Sequence, residues 1–320
     1  MTAPPHPLST LTQSQLDTWV SQARQVIPSG HLPEYIPLLA QADPEIVAIQ
    51  IQLIDGFSLR SSNQEFFFPL MSVVKPLLLL FLLAHQGDRA VFARVGTQPS
   101  DQAFHSLAQL LADQGFPRNP MINSGALTLA GQLPGSDGTA RCEALRQWLN
   151  QQSGCQLVLD QAMLASVRSR GNEANRHLAQ RLEQAGYLED IDLTLDTYNQ
   201  ICCLSGTVVD LAQVGLLLAH PTPDLAVEPC IHPCHQQMVN ALMLTCGLYE
   251  VSGHYAVQIG IPIKSGVSGA MLASLPGLGA IACYSPALDA TGSSIAGLFL
   301  LHQIAKTFDL SLFATQHPGK

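Results

Sequence analysis

Ser72 and Lys75 sit three residues apart at the head of the most apolar stretch of a 320-residue chain, FFFPLMSVVKPLLLLFLLA. The chain has only four lysines, Lys75, Lys264, Lys306 and Lys320. One of them stands just before seven consecutive large apolar side chains, residues 77–83. An ammonium in such surroundings loses solvation, and its pKa is pushed down. A lysine that gives up its proton readily is what a serine nucleophile needs. Positions i and i+3 also share one helix face. A helix beginning near Ser72 would aim its N-terminal amides and dipole at the point where negative charge develops. Two plainer readings compete. Residues 66–84 are mostly apolar and long enough for a membrane span, although Pro69, Lys75 and Pro76 interrupt them and no basic cluster flanks them. A buried core helix with an incidental serine and lysine is the other.

Four further stretches fix polar residues and glycines among apolar ones. They are PRNPMINSGA with Asn119 and Asn123, NEANR with Asn175, DTYNQIC with Tyr198, and Tyr249 followed by KSGVSG at residues 264–269. Gly125 and Ala126 allow close backbone approach. Ser-x-x-Lys followed by lysine, a small hydroxyl and glycine resembles the first and third signatures of penicillin-recognising serine enzymes. The pair uses half of the chain's lysines. Cys230, His232, Cys234 and His235 could hold zinc. No second pair stands at a finger spacing, however, and Pro229 and Pro233 make the segment a loop, so no metal is expected. The eleven histidines show no triad-like grouping.

These residues need elements to position them. Leu16, Trp19, Val20 and Ala23 have helical spacing, and a short helix is expected over residues 35–42. Residues 46–54 alternate and are β-branched, Asp55-Gly56 is a turn signal, and residues 57–61 return as the paired strand. From Ser72 to about His220 the pattern is mostly helical, with a helix around Trp148 and another at 211–219 capped by Asp210. Helix is expected over 238–245, short strands at 256–259, 261–263, 270–275 and 279–284, and a last helix over 294–308. Strands at both ends can share one sheet. The expected fold is α/β, an α+β sandwich with a mainly antiparallel sheet, flanking helices and an all-helical lobe. The expected organisation is a single domain over 1–320, with a sheet lobe of 30–71 plus 236–320 and a helical lobe of 72–235. A cleft would lie between the lobes.

The chain is 47% hydrophobic and 12% charged, about half the usual charged share. That fits a large buried core and a subunit interface. A net charge of −9 disfavours nucleic acid and anionic membranes as partners. The first 30 residues lack a basic-then-apolar run, which points to the cytoplasm. The eight cysteines there are expected to be reduced core residues.

Taken with their order, these motifs resemble the serine-dependent glutaminases, which share the β-lactamase and penicillin-binding-protein fold. The resemblance covers roughly residues 30–308 through HLPEYIPLLAQADPE, FPLMSVVK, RVGTQPSDQAF, PRNPMINSGA, LDTYNQICC, MLTCGLYEVSGHYA and IPIKSGVSGA. It implies hydrolysis of the side-chain amide of L-glutamine to glutamate and ammonia with no cofactor. It also implies a homodimer or homotetramer. By resemblance Ser72 is the nucleophile and Lys75 its activator, and Tyr249 or Tyr198 relays protons. Tyr35, Asn123, Asn175, Tyr198 and Tyr249 line the pocket, and the amides of Ser72 and Val267 form the oxyanion hole. The chain departs from the family where a pocket glutamate meets the substrate ammonium. That position is Arg168, or Arg170 with a two-residue gap, and Glu173 lies nearby. A cation there would repel an ammonium, so a serine hydrolase for a different small amide or ester is the alternative. Met71, Pro76 and His105 also depart from the pattern. Pro76 would leave the Ser72 carbonyl without its helical partner.

Overall fold

The computed structural model describes residues 6–61, 64–171, 173–219 and 229–314. Asn172, His220 and Lys320 lie outside the described residues. Among the described residues there are eight strands: β1 (Ala48–Leu53), β2 (Ser58–Arg60), β3 (Phe68–Pro69), β4 (Val158–Leu159), β5 (Leu204–Gly206), β6 (Ile263–Ser265), β7 (Ala270–Leu275) and β8 (Gly279–Tyr284). The main sheet runs β2-β1-β8-β7-β6 and every pairing in it is antiparallel. Its outer strands in sequence thus come from both ends of the chain, around a long helical stretch.

Both faces of this sheet are covered. Ile49, Ile51, Leu53, Met271, Ala273, Ile281 and Cys283 face one apolar cluster, which also holds Trp19, Leu300 and Ile304. That layer is built by helices Gln13–Arg24 and Ile295–Phe308, with Trp19 edge-on to Phe308 at 6.3 Å. Ala48, Ala270, Leu272, Ala280 and Ala282 alternate onto the other cluster, with the helical stretch. Strands buried on both faces lose the polar half of their alternation, as AMLASL and GAIACY show. Small side chains let helix Val208–Ala219 lie close. A Cβ at Gly215 would sit 2.6 Å from the Ala280 methyl.

Helix Val74–Gln86 is buried along residues 74–83 and touches helical neighbours all round. It therefore reads as apolar on every face without spanning a membrane. Among the described residues no helix is long and apolar enough to cross one.

Several expectations are corrected. Residues 35–42 hold only the 3₁₀ turn Leu39–Gln41, because Pro37 removes a donor in mid-segment. Residues 256–258 belong to helix Ser252–Gln258 and Ile259 caps it, so no strand forms there, and Val257 is 84% exposed. Asp210 is not an N-cap. It lies in the first turn of Val208–Ala219 and accepts from the Thr207 amide at 2.9 Å. The helix expected over 238–245 runs from Pro233 to Cys246.

Candidate active site

Ser72 lies in a 3₁₀ turn, Met71–Val73, and the α-helix begins one residue later at Val74. This moves the expected helix start and removes the expected defect at Pro76. The Val74 amide donates to the carbonyls of Met71 and Ser72. Pro76 falls in the first helical turn, where a missing N–H costs nothing. The turn is nonetheless strained, because Met71 has φ 47° without being glycine. Gly266, in the turn after β6, lies directly behind it. A Cβ there would come 2.7 Å from the Leu70 carbonyl and 3.5 Å from the Ser72 amide nitrogen. Neither the Ser72 nor the Val267 amide donates a hydrogen bond to protein among the described residues. Two unengaged amides on facing turns are what an oxyanion requires.

Lys75 is 1% exposed, and its Nζ donates to the Met121 carbonyl at 3.0 Å and to Asn123 Oδ1 at 2.8 Å. Burial lowers its pKa to about 7, with a smaller opposing influence from Cys202. A neutral amine has two N–H bonds and one lone pair. With both donors spent on Met121 and Asn123, the lone pair is left for a third partner. The loop that presents these acceptors is fixed by buried Asn119. Its side chain accepts from the amides of Met121 and Ile122 and donates to the Gln98 carbonyl at 2.8 Å. Gly125 lets helix Asn123–Ala130 start against it, since a Cβ there would collide with the Asn119 carbonyl. The close approach expected at Gly125 is thus explained.

Asn123 ties the site together. Its Oδ1 also accepts from Tyr198 Oη at 3.3 Å, and its Nδ2 donates to Asn175 Oδ1 at 2.9 Å. Tyr249, another residue with positive φ (56°), puts its ring 5.7 Å from Lys75 Nζ and 4.1 Å from Lys264 Nζ. Burial raises the Tyr249 pKa far above its ordinary value, and a weaker pull from the Ser72 hydroxyl opposes this. The Tyr249 hydroxyl stays close to Ser72 but short of a full hydrogen bond, so it is buried and unpartnered. Lys264, which donates to the Ser265 carbonyl at 2.6 Å, is held well below its ordinary pKa, first by burial and then by Lys75.

A cavity of about 160 Å³ opens onto Ser72. Tyr35, Asn123, Asn175, Tyr198 and Val267 line it, whereas Tyr249 is not among its lining residues. Arg170, the alternative place for the family's pocket glutamate, lines it too, and so do Phe104 and Cys202, which were not among the expected site residues. Phe104, the last residue of RVGTQPSDQAF, stands 4.8 Å from the Tyr249 ring. Burial pushes the Cys202 thiol up to about 11, so it does not rival Ser72 as a nucleophile.

Arg168 is not in this cavity. It is committed to Asp196 in an ion pair on the outer surface, and Arg170 lines the cavity instead. The zinc reading also falls. Among the described residues no group of His, Cys, Asp and Glu is arranged to hold a metal. His232 and His235 instead close the start of helix Pro233–Cys246 as a capping box.

A serine in a strained turn, a desolvated lysine three residues on and two free amides, on a β-lactamase-like fold, are the parts that a serine hydrolase uses. The sequence profile of the Glutaminase family matches residues 30–313, and the chain belongs to that family. A glutaminase of Synechocystis sp. is 44% identical over 298 residues, covering 92% of this chain and 89% of that one. One from Oceanobacillus iheyensis is 37% identical, with 94% and 95% covered. The Bacillus subtilis glutaminase YbgJ, solved as a covalent complex with 5-oxo-L-norleucine formed from 6-diazo-5-oxo-L-norleucine, superposes with a TM-score of 0.84. It is 31% identical, with 94% of this chain and 99% of that one covered.

Proposed function

We propose that this glutaminase converts L-glutamine and water to L-glutamate and ammonia through an acyl-enzyme on Ser72. The observation that carries the reading is the Lys75 amine, buried, doubly tethered and three residues from Ser72. Neutral Lys75 takes the Ser72 proton as Oγ attacks the side-chain amide carbon. The oxyanion lies between the amides of Ser72 and Val267, each worth about 3–4 kcal/mol in such sites. The C–N bond then breaks. The nitrogen leaves as ammonia with the proton held by Lys75, passed directly or through Tyr249. With its pKa raised, Tyr249 remains a phenol and so acts as a donor. Water attacks the glutamyl ester, Lys75 takes its proton, and Ser72 leaves with that proton restored. The side-chain amides of Asn123 and Asn175 supply neutral donors and acceptors to the substrate.

The covalent complex of the Bacillus subtilis relative with 5-oxo-L-norleucine supports a small amino-acid substrate. The same reading expects a homodimer or homotetramer in the cytoplasm. The low charged fraction supports the first and the eight free cysteines support the second. Light scattering tests the assembly. The catalytic reading is tested by peptide mapping after treatment with 6-diazo-5-oxo-L-norleucine. The adduct is expected on Ser72 and absent from Ser72→Ala, whose turnover should fall about 10⁴-fold or more. An adduct on another residue with full activity in Ser72→Ala would sink it.

A further inference from the structure

Glutamine meets the enzyme as a zwitterion. Its amide end is consumed at Ser72, and its α-carbon carries an ammonium and a carboxylate that lose water on binding. Each needs an opposite charge, or a set of dipoles, on the wall it faces. Resting on the Ser72 reading, the question is which charged groups of this chain face the far end of the cavity.

Three arginines lie on the stretch from 168 to 176, and two are already committed. Arg168 pairs with Asp196, and Arg176 donates to Asp192 at 2.8 Å. Arg170 forms no ion pair among the described residues, and it is the one charged side chain lining the 160 Å³ cavity with Ser72. A second cavity of about 310 Å³ adjoins the first and shares Tyr35, Phe104, Asn123, Gly171 and Asn175 with it. Its one carboxylate is Glu173, which likewise has no ion-pair partner among the described residues. Other carboxylates are near but badly placed. Glu34, Glu250 and Asp289 line an outer cavity that Ser72, Asn123 and Asn175 do not reach. Asp289 is moreover taken up by the Thr291 and Ser293 amides of its own loop.

Arg170 ends helix Gln161–Ser169, and Glu173 begins helix Glu173–Gln184. Gly171, at φ 68°, follows Arg170. One cation thus stands on the wall of the first cavity and one anion on the wall of the second, which adjoins it. Asn175, one turn-position further on, has its Oδ1 occupied by Asn123, and its Nδ2 donates to no protein group among the described residues.

We infer that Arg170 and Glu173 are the specificity pair for the α-carbon of the substrate, the guanidinium taking the carboxylate and Glu173 taking the ammonium. Together with the amide held at Ser72 they give three points of contact, which fixes the L configuration. Both side chains are exposed in the free protein, so their contribution appears when the substrate covers them.

The test uses the full chain and three substrates: L-glutamine, 4-carbamoylbutanoate, which lacks the ammonium, and 4-aminobutanamide, which lacks the carboxylate. Glu173→Gln should lower kcat/KM on L-glutamine about tenfold through KM, and leave 4-carbamoylbutanoate unchanged. Arg170→Gln should do the same on L-glutamine and leave 4-aminobutanamide unchanged. Glu173→Asp and Arg170→Lys should recover part of each loss. Where turnover is slow, the inhibition constant of each truncated amide against L-glutamine gives the same comparison. Equal losses on all three substrates, no loss on L-glutamine, or losses that cross between the two variants would overturn the inference. Ser72→Ala is run alongside. Turnover that survives it refutes the catalytic reading and is distinguishable from a failed recognition pattern in an enzyme that needs Ser72.

Discussion

Acidification is the sharpest perturbation of this site, because the base and its environment fix both the direction and the size of the response. Lys75 must be neutral to take the Ser72 proton. Burial brings its pKa from 10.5 to about 7. At pH 7 roughly half of the amine is then neutral, about 10³-fold more than at an unshifted lysine. Below pH 7, kcat/KM should fall tenfold per unit, reaching about 10% of its plateau at pH 6 and about 1% at pH 5. Above pH 7 it should level off, and the raised Tyr249 pKa adds no loss there until strongly alkaline pH. Glutamate formation measured directly by mass spectrometry avoids a coupling enzyme with its own pH profile. The reasoning is refuted by a rate that stays flat from pH 5 to 8. A limb near pH 10 would be equally damaging, because it would describe a solvated lysine.

The same desolvation that supplies the base costs the fold stability. The folded pKa of Lys75 lies below its unfolded value, so the unfolded chain binds more protons and stability rises as pH climbs from about 7 towards 10.5. Lys75→Met should abolish turnover yet raise the urea midpoint at pH 6 by an amount equivalent to roughly 1–3 kcal/mol, once its two lost hydrogen bonds are counted. The gap should narrow by pH 9, and a variant less stable than wild type at pH 6 contradicts the argument. Gly266→Ala should push on the Leu70 carbonyl and displace the Ser72 turn. We expect a fall in kcat of about 10²-fold with KM nearly constant, and an unchanged rate would show that the turn has slack. Tyr249→Phe removes an unpartnered buried hydroxyl. It should therefore lower kcat about 10²-fold while leaving the melting temperature unchanged or slightly raised, as calorimetry would show.

Sequence reading succeeded where a periodic pattern is long and its cause local. Strands β7 and β8 occur at their expected residues, because short runs of mostly apolar, uncharged residues between glycine turns leave few alternatives. Ser294 caps the last helix as its hydroxyl chemistry requires. Strands β3 and β4 escaped notice because two residues carry no period. The run at 256–259 misled for a related reason, since four residues, three of them apolar, fit a helix as well as a strand. At the site, residue types were legible but their pairings were not. Lys75, Tyr198 and Asn175 are 48, 75 and 52 residues from Asn123, and only the folded chain brings them to one amide. Arg168 and Arg170 are equivalent by spacing. The fold separates them by giving Asp196 to the first.

The composition and the chemistry have one cause. A chain with few charges and a continuous apolar cluster around helix Val74–Gln86 can hold an amine away from water, and that exclusion lowers the Lys75 pKa to about 7, as the proposed mechanism requires of its base. The cost is visible in the same few residues. Met71 and Tyr249 occupy positive φ, two lysines are buried, and the Tyr249 hydroxyl lacks a partner. Each of these would be eliminated by selection for stability alone. They converge on one small volume beside Ser72, so the simplest physical account is that their missing partners are the atoms of the reaction. An oxyanion would occupy the two free amides, the departing nitrogen would engage the phenol, and the serine proton would occupy the lysine lone pair. On this account a bound transition-state analogue should stabilise the protein more than the sum of its apolar contacts, because it satisfies groups that folding left open.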